Sequence, residues 1–217
     1  MDRRYHCYHR TLDAEVVLEQ YPGLSARPQK DRSLHLVGDL EFRASYKDLG
    51  VIEDSYGLRI EVPAEFPRVL PKVYDIGGKI SRRFHTNSDG SLCLGSPIRL
   101  FMAIQHNRSL AAFVKKCLIP FLYTYSYRTQ HGTLPFGELP HGDAGIIQDY
   151  MKLFCVETKS ACLSMLALLG KKKRVANKLP CPCGSGIRVG RCHNKLLNRI
   201  RTIKPRSWFR GQWRELS

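Results

Sequence analysis

Apolar positions change their period once along this chain, from about two residues before position 100 to about 3.6 after it. Residues 33–46 alternate through Leu34, Leu36, Leu40, Phe42 and Ala44, and residues 56–62 through Leu58, Ile60 and Val62, which predicts two strands each with one face toward a core. A third strand is expected around Val73–Ile76, after Phe66-Pro67 and Pro71 and before the Gly77-Gly78 turn. Together they make a three-stranded antiparallel meander. Ahead of it, Leu12, Val16 and Leu18 lie at helical spacing and Tyr21-Pro22-Gly23 closes the run, so a short helix is expected over 11–20.

Beyond position 100, Leu110, Phe113, Val114, Cys117 and Leu118 recur at helical spacing, and Pro120 is expected to break that run. Residues 146–156 and 159–169 predict further helices, the last capped by Gly170. Strands first and helices later describe an α+β fold with helices packed on one side of a small sheet. The expected organisation is a domain over 1–170, a charged linker over 171–178 without apolar periodicity, and a tail over 179–217. The tail's apolar set, Leu196, Leu197, Ile200, Ile203, Trp208, Phe209 and Trp213, is too thin to fold without a staple.

Charge sharpens this division. The net +16 is concentrated after residue 170, where 14 of the 35 Lys and Arg meet a single acidic residue, Glu215, for a local +13. Residues 1–170 carry 21 basic and 18 acidic groups, only +3. A near-neutral body with a cationic tail points to an acidic partner for the tail: nucleic acid, an acidic protein face or a membrane surface. No stretch reaches the roughly 18 uninterrupted apolar residues that span a bilayer, and the first ten residues are polar and basic, so the expected compartment is the cytoplasm.

Two cysteine arrangements carry candidate chemistry. The first reads Phe84-His85-Thr86-Asn87-Ser88-Asp89-Gly90-Ser91-Leu92-Cys93-Leu94, downstream of Val62-Pro63-Ala64-Glu65-Phe66-Pro67-Arg68-Val69-Leu70-Pro71. A thiol at its ordinary pKa of about 8.5 is only partly ionised at neutral pH, yet its thiolate both attacks carbonyls and leaves readily. Asp89-Gly90 favours a turn, which would put Cys93 near the surface. Cys117, Cys155 and Cys162, like Cys7, lack such surroundings and read as core or inert positions.

In this order of strand, Phe-Pro-x-x-x-Pro segment, strand, His-x-Asn and Gly-x-Leu-Cys-Leu, residues 30–125 resemble the ubiquitin-conjugating enzymes. The resemblance implies their UBC-type fold, a thioester formed on Cys93, an oxyanion-stabilising role for the Asn87 amide and a mainly structural role for His85. Thr86 stands where that family usually has proline. The general layout also resembles bacterial stand-alone ubiquitin-conjugating-like proteins encoded beside CBASS anti-phage genes. That implies a donor protein ending in glycine, such as a cGAS-like nucleotidyltransferase. No Gly-rich nucleotide-binding segment follows a strand, so activation of the donor carboxylate would fall to a separate or borrowed activating enzyme.

The second arrangement is Cys181-Pro182-Cys183-Gly184-Ser185-Gly186 followed by Cys192-His193. Three sulfurs and an imidazole match a tetrahedral, closed, structural zinc site, with the glycines letting the chain wrap closely. The segment resembles the SEC-C motif. Arg188, Arg191, Lys195, Arg199, Arg201 and Lys204 surround it, with Trp208 and Trp213 near, a mixture that suits nucleic acid or an acidic protein. The alternative to an enzyme is a non-catalytic adaptor of the same fold whose tail binds nucleic acid or another partner.

Overall fold

The computed structural model describes residues 13–46, 48–135 and 142–217. Helix α1 covers 13–20, and the part of the expected helix before residue 13 lies outside the described residues, as does Cys7. Four strands follow, β1 (Leu24–Pro28), β2 (Leu34–Ser45), β3 (Val51–Val62) and β4 (Lys72–Asp75), paired antiparallel in the order β1-β2-β3-β4. The meander thus has one strand more than its alternation predicts. Only Leu24 of β1 is buried, so this edge strand has no apolar alternation to detect and is held by its backbone pairing to β2 from Leu24–Gly38 to Pro28–Leu34.

The register of β2 on β3 explains the core. Leu36 faces Ile60, Leu40 faces Tyr56 and Ala44 faces Ile52. Opposed residues share a face, so Leu36, Leu40, Ile52, Tyr56 and Ile60 all enter one buried layer. Each such aliphatic side chain contributes roughly 1.5–3 kcal/mol by leaving water. Gly38 lies in the same row, at a φ of 143°, where a Cβ would sit 2.1 Å from the Gly23 carbonyl oxygen. Backbone cannot give way cheaply, so Gly38→Ala is expected to lower stability by about 2 kcal/mol or more, read as a drop in the denaturant midpoint.

The layer is closed by α4 (Ile119–His131), whose Phe121, Leu122 and Tyr123 are buried. Helix α3 (Leu110–Phe113) begins at Ser109, whose hydroxyl accepts from the Ala112 N–H at 3.0 Å. Pro120 does not break the run: a π-helical turn, Val114–Leu118, leads straight into α4, with the proline in the first turn. The widened turn relieves the clash with the carbonyl four residues back and makes the missing N–H harmless. A polar brace crosses this layer. Asp54 on β3 accepts from Ser126 Oγ of α4 at 2.7 Å and pairs with Lys79, while Ser126 shares a 2.6 Å hydrogen bond with Tyr56. Burial opposes ionisation of Asp54, but the Lys79 and Ser126 hydrogen bonds outweigh it and hold the carboxyl below its usual range.

The chain divides into two compact units, one running to Leu94 and resuming at His106, the other made of Gly95–Gln105 and the C-terminal part to Ser217. The first holds the sheet. The second contains α2 (Pro97–Ala103), α5 (Gly142–Phe154), α6 (Lys159–Leu169), α7 (Lys173–Ala176), α8 (Asn194–Arg201) and α9 (Arg206–Leu216). Its centre is Tyr150, which donates to Gln212 Oε1 at 2.9 Å and accepts from the Ile98 N–H at 3.3 Å. Cys162, Met165, Leu166 and Leu169 of α6 are fully buried, together with Leu197, Ile200 and Phe209. The tail's thin apolar set therefore folds against α6. Residues 171–178, charged and without apolar period, contain the turn α7 with Ala176 buried.

Candidate functional site

The segment 84–93 is a tight loop laid against the outer edge of the sheet. Phe84 anchors its start, buried against Phe121 and Tyr125 of α4. His85 adopts a left-handed φ of 39°, uncommon for a residue with a side chain, and its carbonyl accepts from the Cys93 N–H at 2.6 Å. The Leu92 N–H donates to the Val73 carbonyl on β4 at 2.7 Å, and Thr86 bridges Leu92. Backbone bonds at Leu92 and at Cys93 itself therefore fix where Cys93 stands. Cys93 is half-buried, whereas Cys117 and Cys162 are buried and burial pushes their thiols up to about 12 and about 11. Cys155 is exposed at the end of α5.

Within the loop, three residues that the spacing did not single out hold Asn87. Asp89 Oδ1 accepts from the Ser91 N–H at 3.0 Å and from Ser91 Oγ at 2.6 Å, while its Oδ2 accepts from Lys72 Nζ at 2.7 Å. Ser91, almost wholly buried, in turn accepts from Asn87 Nδ2 at 3.0 Å. The second Nδ2 hydrogen of Asn87 is not used by Ser91. A groove of about 830 Å³ borders the loop, lined among others by Ile80, Arg82, Asn87, Asp89 and Leu92. Asn87 reaches this groove; His85 and Cys93 are not in its lining. The Asp-x-Ser spacing of an Asx turn was a signal for part of this network; Lys72, seventeen residues from Asp89 in sequence, had none.

The hydrogen bonds from Lys72 and Ser91 hold the Asp89 carboxyl well below the usual carboxylate range. A depressed folded pKa stabilises the loop above the unfolded value of about 3.9 and loses that stabilisation as pH falls through the folded value. Both partners are partly solvated, which limits the effect. Asp89→Asn is thus expected to cost roughly 1 kcal/mol or less at pH 7, with the difference from wild type shrinking below about pH 4 in thermal unfolding.

The other cluster brings together all four ligands named from the sequence. Cys181 Sγ lies 3.2 Å from His193 Nδ1 and 3.3 Å from Cys183 Sγ, Cys183 Sγ lies 3.5 Å from Cys192 Sγ, and Cys192 Sγ lies 3.1 Å from His193 Nδ1. The four donor atoms all fall within 4.8 Å of one another and could hold a metal ion. The sulfurs are too far apart for a disulfide, whose bond is about 2.05 Å.

Local folding explains the convergence. Cys181 N–H pairs with the Ile187 carbonyl at 2.9 Å and Val189 N–H with that of Leu179 at 2.9 Å, while the 3-10 turn Val189–Arg191 delivers Cys192 and His193 to the start of α8. Gly184 and Gly186 take φ of 78° and 72°, and a Cβ at either would meet nothing within 4 Å. They are needed for left-handed backbone, not for close wrapping. Ser185 draws the Cys183 thiol down to about 6, while burial pushes Cys181 up to about 12. Three adjacent sulfurs beside an imidazole are a donor set that a cation would hold together by replacing thiol protons.

Among the described residues, no helix is long and apolar enough to cross a membrane. No protein-family model, curated protein or solved structure matches the chain.

Proposed function

We propose that Cys93 carries an acyl group as a thioester and passes it to an amine, as ubiquitin-conjugating enzymes do. The observation that carries this reading is the half-buried Cys93 closing a loop, its own N–H bonded to the His85 carbonyl and that of Leu92 to Val73. The thiolate attacks an activated carbonyl and expels its activating group; an amine then attacks the thioester, the C–S bond breaks and the thiolate leaves with the electron pair. Asn87, its amide oriented through Ser91 and Asp89, supplies an N–H to the oxyanion. His85 acts through its carbonyl on the Cys93 backbone. The donor is a protein ending in glycine, on this reading a cGAS-like nucleotidyltransferase in a CBASS-type defence operon, charged by a separate activating enzyme.

The ion suited to Cys181, Cys183, Cys192 and His193 is zinc. Four protein ligands leave no open position, so its part is to hold the tail together.

A non-catalytic adaptor is the second reading, favoured by one observation: the Asn87 amide already donates to Ser91, and Asn87 rather than Cys93 lines the groove. A Cys93→Lys variant expressed with its operon separates the two. The enzyme would accumulate a conjugate on the new amine that resists thiol treatment; an adaptor would accumulate none.

A further inference from the structure

The strongest feature that acyl transfer leaves unused is one face of α9. Arg206, Arg210 and Arg214 recur every four residues and all three are exposed. At about 1.5 Å rise per residue they stand about 6 Å apart along the helix, a regular cationic ladder on the scale of successive phosphates in one nucleic-acid strand. The middle rung is held in place: Arg210 Nη1 donates to the Gly170 carbonyl at 3.1 Å, and a Cβ on Gly170 would come within 2.7 Å of Arg210 Cγ. Trp213 lies on the same side, three residues from Arg210, and is 39% exposed. It stacks on no other ring of the described residues, whereas Trp208 packs edge-on against Phe101 and Phe209.

We infer that α9 binds single-stranded nucleic acid, its arginines on consecutive phosphates and Trp213 stacked on a base. Repeating charge and an unstacked aromatic beside it are what a strand's repeating phosphates and bases require. A membrane surface fits less well, because Phe209 and Leu216 of α9 are buried inward and Trp213 alone of its apolar side chains is exposed, too little to form an inserting face. An acidic protein would find little apolar surface on α9, where Trp213 is the one exposed large hydrophobic side chain. The rest of the tail adds 11 further Lys and Arg, and its one acidic residue, Glu215 on α9, accepts from Gln212 Nε2 at 3.0 Å.

The test is fluorescence anisotropy of a labelled mixed-sequence single-stranded oligonucleotide titrated with the full-length protein. Three phosphate contacts contribute about −2 to the slope of log affinity against log salt, roughly a 20-fold loss between 50 and 200 mM salt from these contacts alone. Replacing all three arginines by glutamine is expected to make the slope shallower by about 2, replacement by lysine to keep it, and Trp213→Ala to weaken binding about 10-fold. Cys93→Ala is expected to bind as wild type, which keeps this result separate from the fate of the thioester. Unchanged binding by the triple glutamine variant, or equal competition by polyglutamate or by phosphatidylserine vesicles, would overturn the inference.

Discussion

With zinc on Cys181, Cys183, Cys192 and His193, as proposed, a strong chelator is expected to unfold the part of the tail around these ligands. Structural zinc in small Cys/His modules binds with about 10–16 kcal/mol at neutral pH, as much as the whole stability of an ordinary domain, about 5–15 kcal/mol. Without it, residues 177–193 are left with a few backbone pairs and one buried valine, Val189. Hydrogen exchange should rise sharply across 177–201 while β2 and β3 stay protected, because their pairing and core involve none of these ligands. Cys192→Ser should reproduce the effect without chelator. Unchanged exchange in both experiments would mean that the four donors hold no ion that matters to the fold.

The second large effect concerns the loop. Cys93→Ala is expected to abolish conjugate formation outright, since no other sulfur among the described residues shares its setting: Cys117 and Cys162 are buried, Cys155 is exposed after α5, and Cys181, Cys183 and Cys192 are gathered with His193. Asn87→Ala should leave the thioester loadable but slow its transfer to an amine by about 100-fold or more, the cost of losing one oxyanion donor. Single-turnover discharge of the loaded protein separates the two. A Cys93→Ala protein that keeps full activity in cells would identify the adaptor.

Much of this was legible in the sequence where short-range chemistry decides the outcome. The zinc-type ligands lie within thirteen residues of one another, so their spacing alone implied convergence. The alternation of Leu34 to Ala44 fixed which face of β2 is buried. What could not be read depended on partners distant in sequence. Strand β1 owes its existence to pairing with β2, and α2, only seven residues long, offered no more than a proline after Ser96 as a starting signal. Pro120 suggested an end to the helix because local rules do not foresee a π turn ahead of it. Asn87 was visible as an amide near Cys93, but its orientation rests on Lys72 and Asp89, which meet only once β4 and the loop are folded.

The acyl-carrying role proposed for Cys93 is tested most directly by the intact mass of the protein purified from its native operon, before and after hydroxylamine. A mass increment that hydroxylamine removes, and that is missing from Cys93→Ala, is the predicted result. A wild-type protein with no increment while its donor and activating partners are present and active would contradict it.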